Sequence, residues 1–562
     1  MPGGLVNLVA QGAANVLIHG SPSKTFFKVA YSKITNFGMQ KFRLDYEGSR
    51  DLRLTEESKF TFRIKRYADL LMDTYVVVTL PDIWSPIYSP SPETNYQWVP
   101  YEFRWIRDIG MQMIRSIEIN CGSVQIQKYS GSYLSAMVDR DFNAEKKELF
   151  NTMTGNIPEL YDPANAYGRE NAYPSAYYTT NSNGAEPSIR GRTLYIPINT
   201  WFTLNSRCAF PLVALQYNEL TITVTLRPIQ EIFQVRDVYD NDNFYPYIQP
   251  DFNREQFRTY RFLQTPPSVR TDSASASYQN TTQVWNADVH LISNFCFLSR
   301  DEQYRFAREE QIYLVKDVAE YKFLGVTGSK KVKLENSNGM VSSWMWHFQR
   351  NDIDLRNEWS NYTNWPYIHL PSNAQMAPYT VPSNINDDVY DPSMILQNGP
   401  RVQPHSTVNS GLFISGDFSN DNQREIMTSM GILFEGDYRE NVMNSGVYNF
   451  VEKYTRTSGC AKEGLYCYNF CLNTSPFEYQ PSGAINLSKF KTIELEFTTY
   501  LPQVDPTNSN FEVICDSVGN PVGVTKKSSS QIYQYSFDLI VYEERYNLLS
   551  FIGGNCGMMY AK

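Results

Sequence analysis

Three cysteines in the C-terminal part of the chain are spaced closely enough to raise the question of metal binding. They are Cys460, Cys467 and Cys471, out of eight cysteines in 562 residues. A structural zinc site needs four ligands, and neither a fourth cysteine nor a histidine lies nearby. On one strand, Cys467 and Cys471 would lie about 13 Å apart, too far to form a disulfide. We therefore interpret all three as free thiols.

The other residues that could hold a cation or perform catalysis lack the required spacing. Asp240, Asp242 and Asp251 lack the glycine and the closing glutamate of a calcium loop, and segments 384–391 and 415–422 fail in the same way. The glycines and lysines of segment 325–331 do not have P-loop spacing and predict a turn. No histidine pair has metal-site spacing among His19, His290, His347, His369 and His405. We predict no catalytic, cofactor-binding or metal-binding residue and expect that the protein is not an enzyme.

A basic stripe runs along segment 59–66. Lys59, Arg63 and Lys65 alternate with apolar residues, as on a strand with one solvated face. Such a stripe could contact phosphate groups. Because the chain is acidic overall, with a formal charge of −9, we favour a solvated or intersubunit face and expect no direct nucleic-acid contact.

Alternating apolar residues identify the strands that must build the fold. In segment 220–226, residues Leu220, Ile222, Val224 and Leu226 face one way and three threonines face the other. A second strand of this kind places Ile493, Leu495 and Phe497 on its inner face. Such a pattern is typical of half-buried β-strands.

The strand signals occur in the same order in both halves of the chain. Segment 74–81 corresponds to 342–349, 116–129 to 429–442, and 294–307 to 538–551. Each member of the last pair is interpreted as an apolar strand followed by an acidic turn. We therefore predict two tandem copies of one β-domain, with an arm at 1–24, a first domain at 25–308 and a second at 309–562.

Composition is consistent with a mainly β protein. The chain is 42% hydrophobic and 14% aromatic, with 30 prolines and 30 glycines. No apolar run reaches the length of a membrane-spanning helix, so we expect no transmembrane segment. The first lysine or arginine is Lys24, and residue 2 is proline, so we expect neither a secretory signal nor N-myristoylation.

The N-terminal motif resembles the start of the double jelly-roll major capsid proteins of nucleocytoplasmic large DNA viruses. The shared residues are Leu8–Ala10, Gly12–Ala13, Gly20, Pro22, Thr25–Lys28, Tyr31 and Thr35–Phe37. Segments 194–220, 299–307, 480–490 and 546–561 are similar to later blocks of the same family. The long loops are where this sequence departs from the shortest members.

This resemblance implies an all-β fold of two tandem eight-stranded jelly rolls with long inserted loops. It implies a major capsid protein that trimerises into pseudo-hexagonal capsomers tiling an icosahedral shell. Expected partners are other copies of the chain, the penton and minor capsid proteins beneath the shell, and a nearby internal viral membrane. The expected location is the virion capsid, assembled in the host cytoplasm.

Two segments are expected to make contacts outside the barrels. Segment 130–191 contains Tyr161, Tyr167, Tyr173, Tyr177 and Tyr178, which favours an ordered, contact-making loop. The arm is expected to be extended up to a turn at residues 20–22, with the first strand starting at Phe26. In the resembled family this arm lies on the inner side of the capsomer.

Two alternatives remain open at this stage. A two-domain carbohydrate-binding or carbohydrate-active β-sandwich would place sugars in aromatic loops, but it would need an export signal or a pair of catalytic carboxylates. A protein that coats nucleic acid would need a basic surface. A structural assembly protein accounts best for the long tyrosine-rich loops and the absence of catalytic motifs.

Overall fold

The computed structural model describes most of the chain. The described residues are 2–29, 31–48, 51–85, 102–169, 173, 174, 176, 186–237, 246–266, 278–368, 424–460, 462–502, 513–515, 517, 518, 521–524 and 533–560.

The first half contains twelve of the described strands. They are β1 (Phe37–Leu44), β2 (Ser58–Ile64), β3 (Leu70–Leu80), β4 (Phe103–Trp105), β5 (Ile114–Cys121), β6 (Val124–Tyr129), β7 (Arg192–Pro197), β8 (Phe210–Pro211), β9 (Leu220–Leu226), β10 (Phe233–Arg236), β11 (Tyr247–Ile248) and β12 (His290–Leu298).

The second half contains the other twelve described strands. They are β13 (Gln311–Phe323), β14 (Ser329–Lys333), β15 (Met340–Arg350), β16 (Met427–Phe434), β17 (Asp437–Asn444), β18 (Leu465–Asn469), β19 (Ile485–Asn486), β20 (Ile493–Thr499), β21 (Val513–Cys515), β22 (Pro521–Val524), β23 (Phe537–Ile552) and β24 (Asn555–Met558).

The main sheets of the two halves have the same strand order. In the first half, β1-β12-β3-β7 faces β2-β9-β5-β6, and in the second half β13-β23-β15-β18 faces β14-β20-β16-β17. If the eight strands of each half are numbered along the chain, both halves read 1-8-3-6 and 2-7-4-5. All neighbours along these sheets are antiparallel. This is a double jelly roll, and the predicted fold class is confirmed. The boundary at residues 308 and 309 stays a prediction.

The alternating segments form the strands that the sequence predicts. In β9, Leu220, Ile222, Val224 and Leu226 are fully buried. The inner residues of β20 are buried in the same way, and so are Phe60, Phe62 and Ile64 of β2. Lys59 and Arg63 of β2 are exposed, as the alternation requires. Apolar side chains between paired sheets provide the main stabilisation of such a sandwich.

Three local predictions are wrong. The arm contains short helices at Gly3–Val9 and Val16–His19, and the first strand starts at Phe37, not at Phe26. Segment 130–191 is partly helical, with helices at Gly131–Asp141, Ala144–Thr154 and Pro158–Tyr161. Segment 538–551 has no acidic turn, because β23 runs through it without a break. The equivalent acidic segment of the first half forms the helix Arg300–Arg308.

The other helices of the described residues are short. They are the α-helices Ile109–Gln112, Trp201–Leu204 and Glu452–Arg456, the π-helix Val447–Val451, and the 3-10 helices Ala13–Asn15, Ala166–Gly168, Ser206–Cys208, Leu212–Ala214, Ile229–Glu231, Glu255–Phe257, Thr259–Arg261, Ile353–Arg356 and Leu487–Lys489. No helix in the described part of the chain is long and apolar enough to cross a membrane.

Candidate assembly surfaces and the interface between the two jelly rolls

The helix Gly131–Asp141, which we call the interface helix, packs between the two jelly rolls. It follows β6 directly, and its first turn is capped by Ser130, whose Oγ accepts a hydrogen bond from the Tyr133 backbone N–H at 3.2 Å. All of its residues except Ser132 are buried, although the helix lies on the outside of its own barrel. The second jelly roll covers it.

A buried charged cluster joins this helix to the second roll. The Arg140 guanidinium lies 2.7 Å from Asp141 Oδ2 and 2.9 Å from Glu544 Oε1 on β23. Ser343 Oγ of β15 donates to Glu544 Oε2 at 2.7 Å, and Tyr133 OH donates to Glu544 Oε1 at 2.8 Å. The side chains of Arg140, Asp141 and Glu544 are at most 1% exposed. Every oxygen of Glu544 is therefore satisfied by protein groups.

The charges in this cluster set the protonation of Glu544. Burial acts to raise its pKa, but Arg140 and Lys316 outweigh burial and hold the pKa at about 2. Burial raises the pKa of the neighbouring Asp141, despite its contact with Arg140. The Arg140 guanidinium therefore favours the ionised form of Glu544. A buried pair of this kind is costly to break, because one charge is left without a partner.

Aromatic packing extends the same interface. Tyr133 and Tyr542 have ring centroids 5.6 Å apart, and Phe210 lies 5.1 Å from Phe551 in an edge-to-face arrangement. Trp201 of the first roll is 5.5 Å from Tyr313 of the second. Residues of both rolls consequently belong to one continuous apolar cluster. Such aromatic pairs stabilise the interface by more than the burial of their apolar surface alone.

A loop of the second roll also contacts the first. Asn357 Nδ2 donates to the backbone oxygens of Gln230 and Phe233, both at 2.8 Å. Trp359 Nε1 donates to the backbone oxygen of Glu231 at 2.9 Å, and Tyr367 OH donates to the backbone oxygen of Tyr247 at 2.6 Å. The two rolls are therefore connected at two separate regions.

The roles of Glu543 and Glu544 are not predicted by the sequence. Two adjacent glutamates usually indicate solvent, yet both are 0% exposed. Glu543 accepts hydrogen bonds from Trp344 Nε1 at 2.8 Å and from Arg545 Nε at 2.6 Å. The only available signal is the strongly apolar run on both sides of the pair, which fits a continuous strand better than a turn.

The second jelly roll carries a helical segment at the same position as the interface helix. It spans residues 447–456 directly after β17, which corresponds to β6 of the first roll. In contrast to its counterpart, it exposes Phe450, Val451 and Tyr454 by 60%, 54% and 91%. We call these three residues the exposed helix face.

The helix Gly131–Asp141 covers one sheet face of the second roll, and the first roll has an equivalent sheet face. In the second roll, β15 and β23 direct Ser343 and Glu544 towards the interface helix. The equivalent strands of the first roll are β3 and β12, with β1 at the edge. On their outer side Phe37 and Met39 are 50% and 57% exposed, and Tyr75 is half-buried. We call these three residues the exposed sheet face.

The N-terminal arm contributes a third apolar surface. Leu17, Ile18, Phe26 and Phe27 are 81–99% exposed, and no residue of the described arm from 2 to 29 is buried. Large apolar side chains at such density are unusual on a monomer surface and mark contact sites.

The residues examined for metal chemistry are dispersed in the structure. Cys460 is exposed, Cys467 is buried in β18, and Cys471 is buried beyond the end of that strand; all three are free thiols. No group of three or more metal-binding side chains occurs within the described residues. Asp251 Oδ1 accepts from the Asn253 backbone N–H at 3.0 Å in a local turn.

The described histidines are also far apart in the fold. His19 lies in the arm, His290 begins β12 and His347 is buried in β15. Outside the described residues lie Asp240, Asp242, His369, His405, Tyr177, Tyr178 and segments 384–391 and 415–422.

The tyrosine-rich segment does make contacts where it is described. Tyr173 OH donates to the backbone oxygen of Phe103 at 2.6 Å. The guanidinium carbon of Arg107 lies 4.1 Å from the centroid of the Tyr161 ring. Tyr167 is 79% exposed. Tyr161 and Tyr173 thus contact residues of their own jelly roll, and contacts of this segment outside the barrels stay a prediction.

Comparison with solved structures places the whole chain in one fold. It aligns with the capsid protein of the PBCV-1 virus capsid with a TM-score of 0.58 at 18% identity, covering 96% of this chain and 100% of that one. The major capsid protein of Faustovirus gives the same TM-score at 13% identity, with 96% and 94% covered. At these identities the likeness establishes the fold alone.

Sequence comparison gives the family. The chain is 23% identical to the major capsid protein of Phaeocystis pouchetii virus, covering 91% of this chain and 95% of that protein. It is also 23% identical to the major capsid protein of Paramecium bursaria Chlorella virus 1, with both chains covered in full. The family model "Major capsid protein N-terminus" matches residues 25–291, and "Large eukaryotic DNA virus major capsid protein" matches residues 302–557. The chain therefore belongs to the major capsid protein family of large eukaryotic DNA viruses, a family of structural shell proteins.

Proposed function

We propose that this capsid protein forms a ring of three copies, in which six jelly rolls make a near-hexagonal block of an icosahedral shell. The observation that carries the proposal is the unequal burial of two equivalent helices. The interface helix of the first roll is covered by the second roll, whereas the exposed helix face is uncovered in the single chain.

We expect the contact between two chains to resemble the contact between the two jelly rolls of one chain. The exposed helix face of one copy would meet the exposed sheet face of the next, as Gly131–Asp141 meets β15 and β23 within the chain. Such an interface is heterologous, since two different patches meet, and it forms a closed ring when the rotation between copies closes. The same packing would then occur between the two rolls of one chain and between rolls of neighbouring chains. Three chains would place six similar jelly rolls around one axis.

The test is a charge placed in the exposed helix face. A protein carrying both Phe450→Glu and Tyr454→Glu is expected to run as a monomer in light scattering, because two carboxylates would be buried without partners. Its melting temperature as a monomer should equal that of dissociated wild-type protein, since both side chains are exposed within the chain.

Leu355→Glu is the matched control, because Leu355 is 61% exposed and lies outside both faces. It should leave the trimer intact. A trimeric double variant would contradict the proposed interface, and a wild-type protein that stays monomeric at all concentrations would contradict the ring itself.

We also propose that the arm docks the capsomer onto other components of the particle. The support is the apolar surface of residues 2–29, none of which is buried. The fitting partners are penton and minor capsid proteins beneath the shell, next to an internal membrane, with assembly in the host cytoplasm. The formal charge of −9 favours protein partners over direct contact with the genome.

We further propose that the protein works without a bound metal. The dispersed thiols support this, with Cys460 at the surface and Cys467 in β18. Elemental analysis of the purified trimer should find no stoichiometric zinc. Zinc at one equivalent per chain, together with a lower melting temperature after chelation, would contradict the proposal.

A further inference from the structure

The hairpin of β23 and β24 is held against the first jelly roll by its turn. Gly553 and Gly554 have positive φ angles of 58° and 83°, which a tight turn requires and which glycine adopts without strain. The Gly554 oxygen accepts hydrogen bonds from the backbone N–H groups of Gln216 at 2.9 Å and Tyr217 at 3.3 Å. Backbone atoms of the two rolls thus fix the position of this hairpin.

This attachment brings one cysteine from each roll together. Cys121 is the last residue of β5 and lies opposite Leu220 in the neighbouring strand β9. Leu220 comes shortly after Gln216 and Tyr217, the two residues that bind the turn. Asn218 Nδ2 donates to Asn555 Oδ1 at 3.2 Å, and the next residue after Asn555 is Cys556. Cys121 and Cys556 are 0% and 7% exposed and lie in the same apolar cluster.

The two thiols are neighbours at this junction. Their contact lowers the pKa of the Cys121 thiol, and the same contact together with burial raises the pKa of the Cys556 thiol. Two neighbouring thiols are the starting arrangement for a disulfide, because a sulfenic acid formed on one sulfur can be attacked by the other.

We propose that Cys121 and Cys556 form a disulfide that joins the two jelly rolls covalently when the particle meets a small peroxide. A thiolate attacks hydrogen peroxide, breaks the O–O bond and becomes a sulfenic acid, with hydroxide as the leaving group. The second thiol then attacks the sulfenic sulfur, forms the S–S bond and releases water. Overall, two thiols are oxidised by two electrons and one peroxide is reduced to two waters.

As a consequence, the chain would assemble with reduced thiols, and the disulfide would crosslink its two rolls after exposure to an oxidising environment. Disulfides persist on extracellular particles and are rare in the reducing cytosol. The crosslink would close a loop containing most of the second roll, and long loops give a disulfide the largest effect on the unfolded chain.

Peptide mapping tests the crosslink in the intact protein. The native protein is treated with limiting peroxide, the remaining thiols are blocked, and the chain is digested with trypsin without reduction. Peptides 116–128 and 546–562 each contain one cysteine and should appear joined, with a mass lower than their sum by two hydrogen atoms. Cys121→Ser and Cys556→Ser should each abolish the joined species, while Cys208→Ser should retain it.

Thermal unfolding supplies the second measurement. Oxidation should raise the melting temperature of the wild type by at least about 2 °C and should not raise that of Cys121→Ser. The bond lies within one chain, so it can be detected in monomer or trimer, independently of the ring proposal. Oxidation of the exposed Cys460 without any joined peptide would overturn the inference, and so would joining that occurs only after denaturation.

Discussion

At the scale of single residues, Glu544 joins the two rolls through its buried contacts with Arg140 and Tyr133. Glu544→Gln should lower the free energy of unfolding by about 3–5 kcal/mol, because Arg140 would lose a buried countercharge. Urea denaturation at neutral pH measures this change. Glu494→Gln is the control, since Glu494 lies 3.8 Å from Lys331 on the surface and should cost about 1 kcal/mol or less. Equal losses in both variants would contradict the assigned role of Glu544.

His347 should make the protein sensitive to acid. Burial, with a smaller effect of Lys462, lowers its pKa to about 3, and its ring stacks on Tyr362 with centroids 3.9 Å apart. The unfolded chain takes up this proton below about pH 6.5 while the folded chain does not, so stability falls as the pH falls from about 6.5 to 3. At pH 5 the loss from this group is about 2 kcal/mol.

His347→Phe should keep the stacked ring and remove this titration. Unfolding midpoints at pH 7 and pH 5 should therefore differ less in the variant than in the wild type, although both lose stability as carboxylates become protonated. The same pH dependence in both proteins would mean that His347 is protonated in the folded state.

At the scale of elements, the arm and the interface helix have opposite relations to the fold. The helix Gly131–Asp141 buries nearly all its residues, whereas the described arm buries none. Deleting residues 1–19 should therefore leave the melting temperature and the trimer nearly unchanged and impair shell formation. Light scattering measures the first effect, and electron microscopy of assembled particles measures the second. A truncated protein that aggregates or fails to trimerise would place the arm in the fold.

At the scale of the molecule, the two rolls should stay associated through their non-covalent contacts even when the chain between them is cut. A protease site inserted at Glu309–Glu310 would cut between the predicted domains 25–308 and 309–562. The cut halves should co-elute and melt together, because contacts such as Tyr133–Tyr542 and Phe210–Phe551 do not depend on the connection. The same site inserted at residues 20–22 of the arm is the control. Fragments that separate without denaturant, or unfold on cutting, would contradict a boundary at this position.

The sequence by itself determined the alternating strands, their repeated order and the family resemblance. Alternation at Leu220–Leu226 and Ile493–Thr499 reports burial on one face of a strand, which is a local property that residue spacing encodes directly. The N-terminal motif was equally informative about the family. It misled about structure, because its Phe26 and Phe27 are the apolar residues of an exposed arm and not of a strand.

Tertiary structure alone decided where charge is buried and which elements meet. The sequence predicts an acidic turn in segment 538–551, but Arg140, Tyr133 and Trp344 from distant segments satisfy the two carboxylates there and make the burial of Glu543 and Glu544 favourable. The pairing of Cys121 with Cys556 and the covering of one helix but not its equivalent also depend on packing between the rolls. Such contacts join residues hundreds of positions apart, and spacing within a single strand or helix carries no information about them.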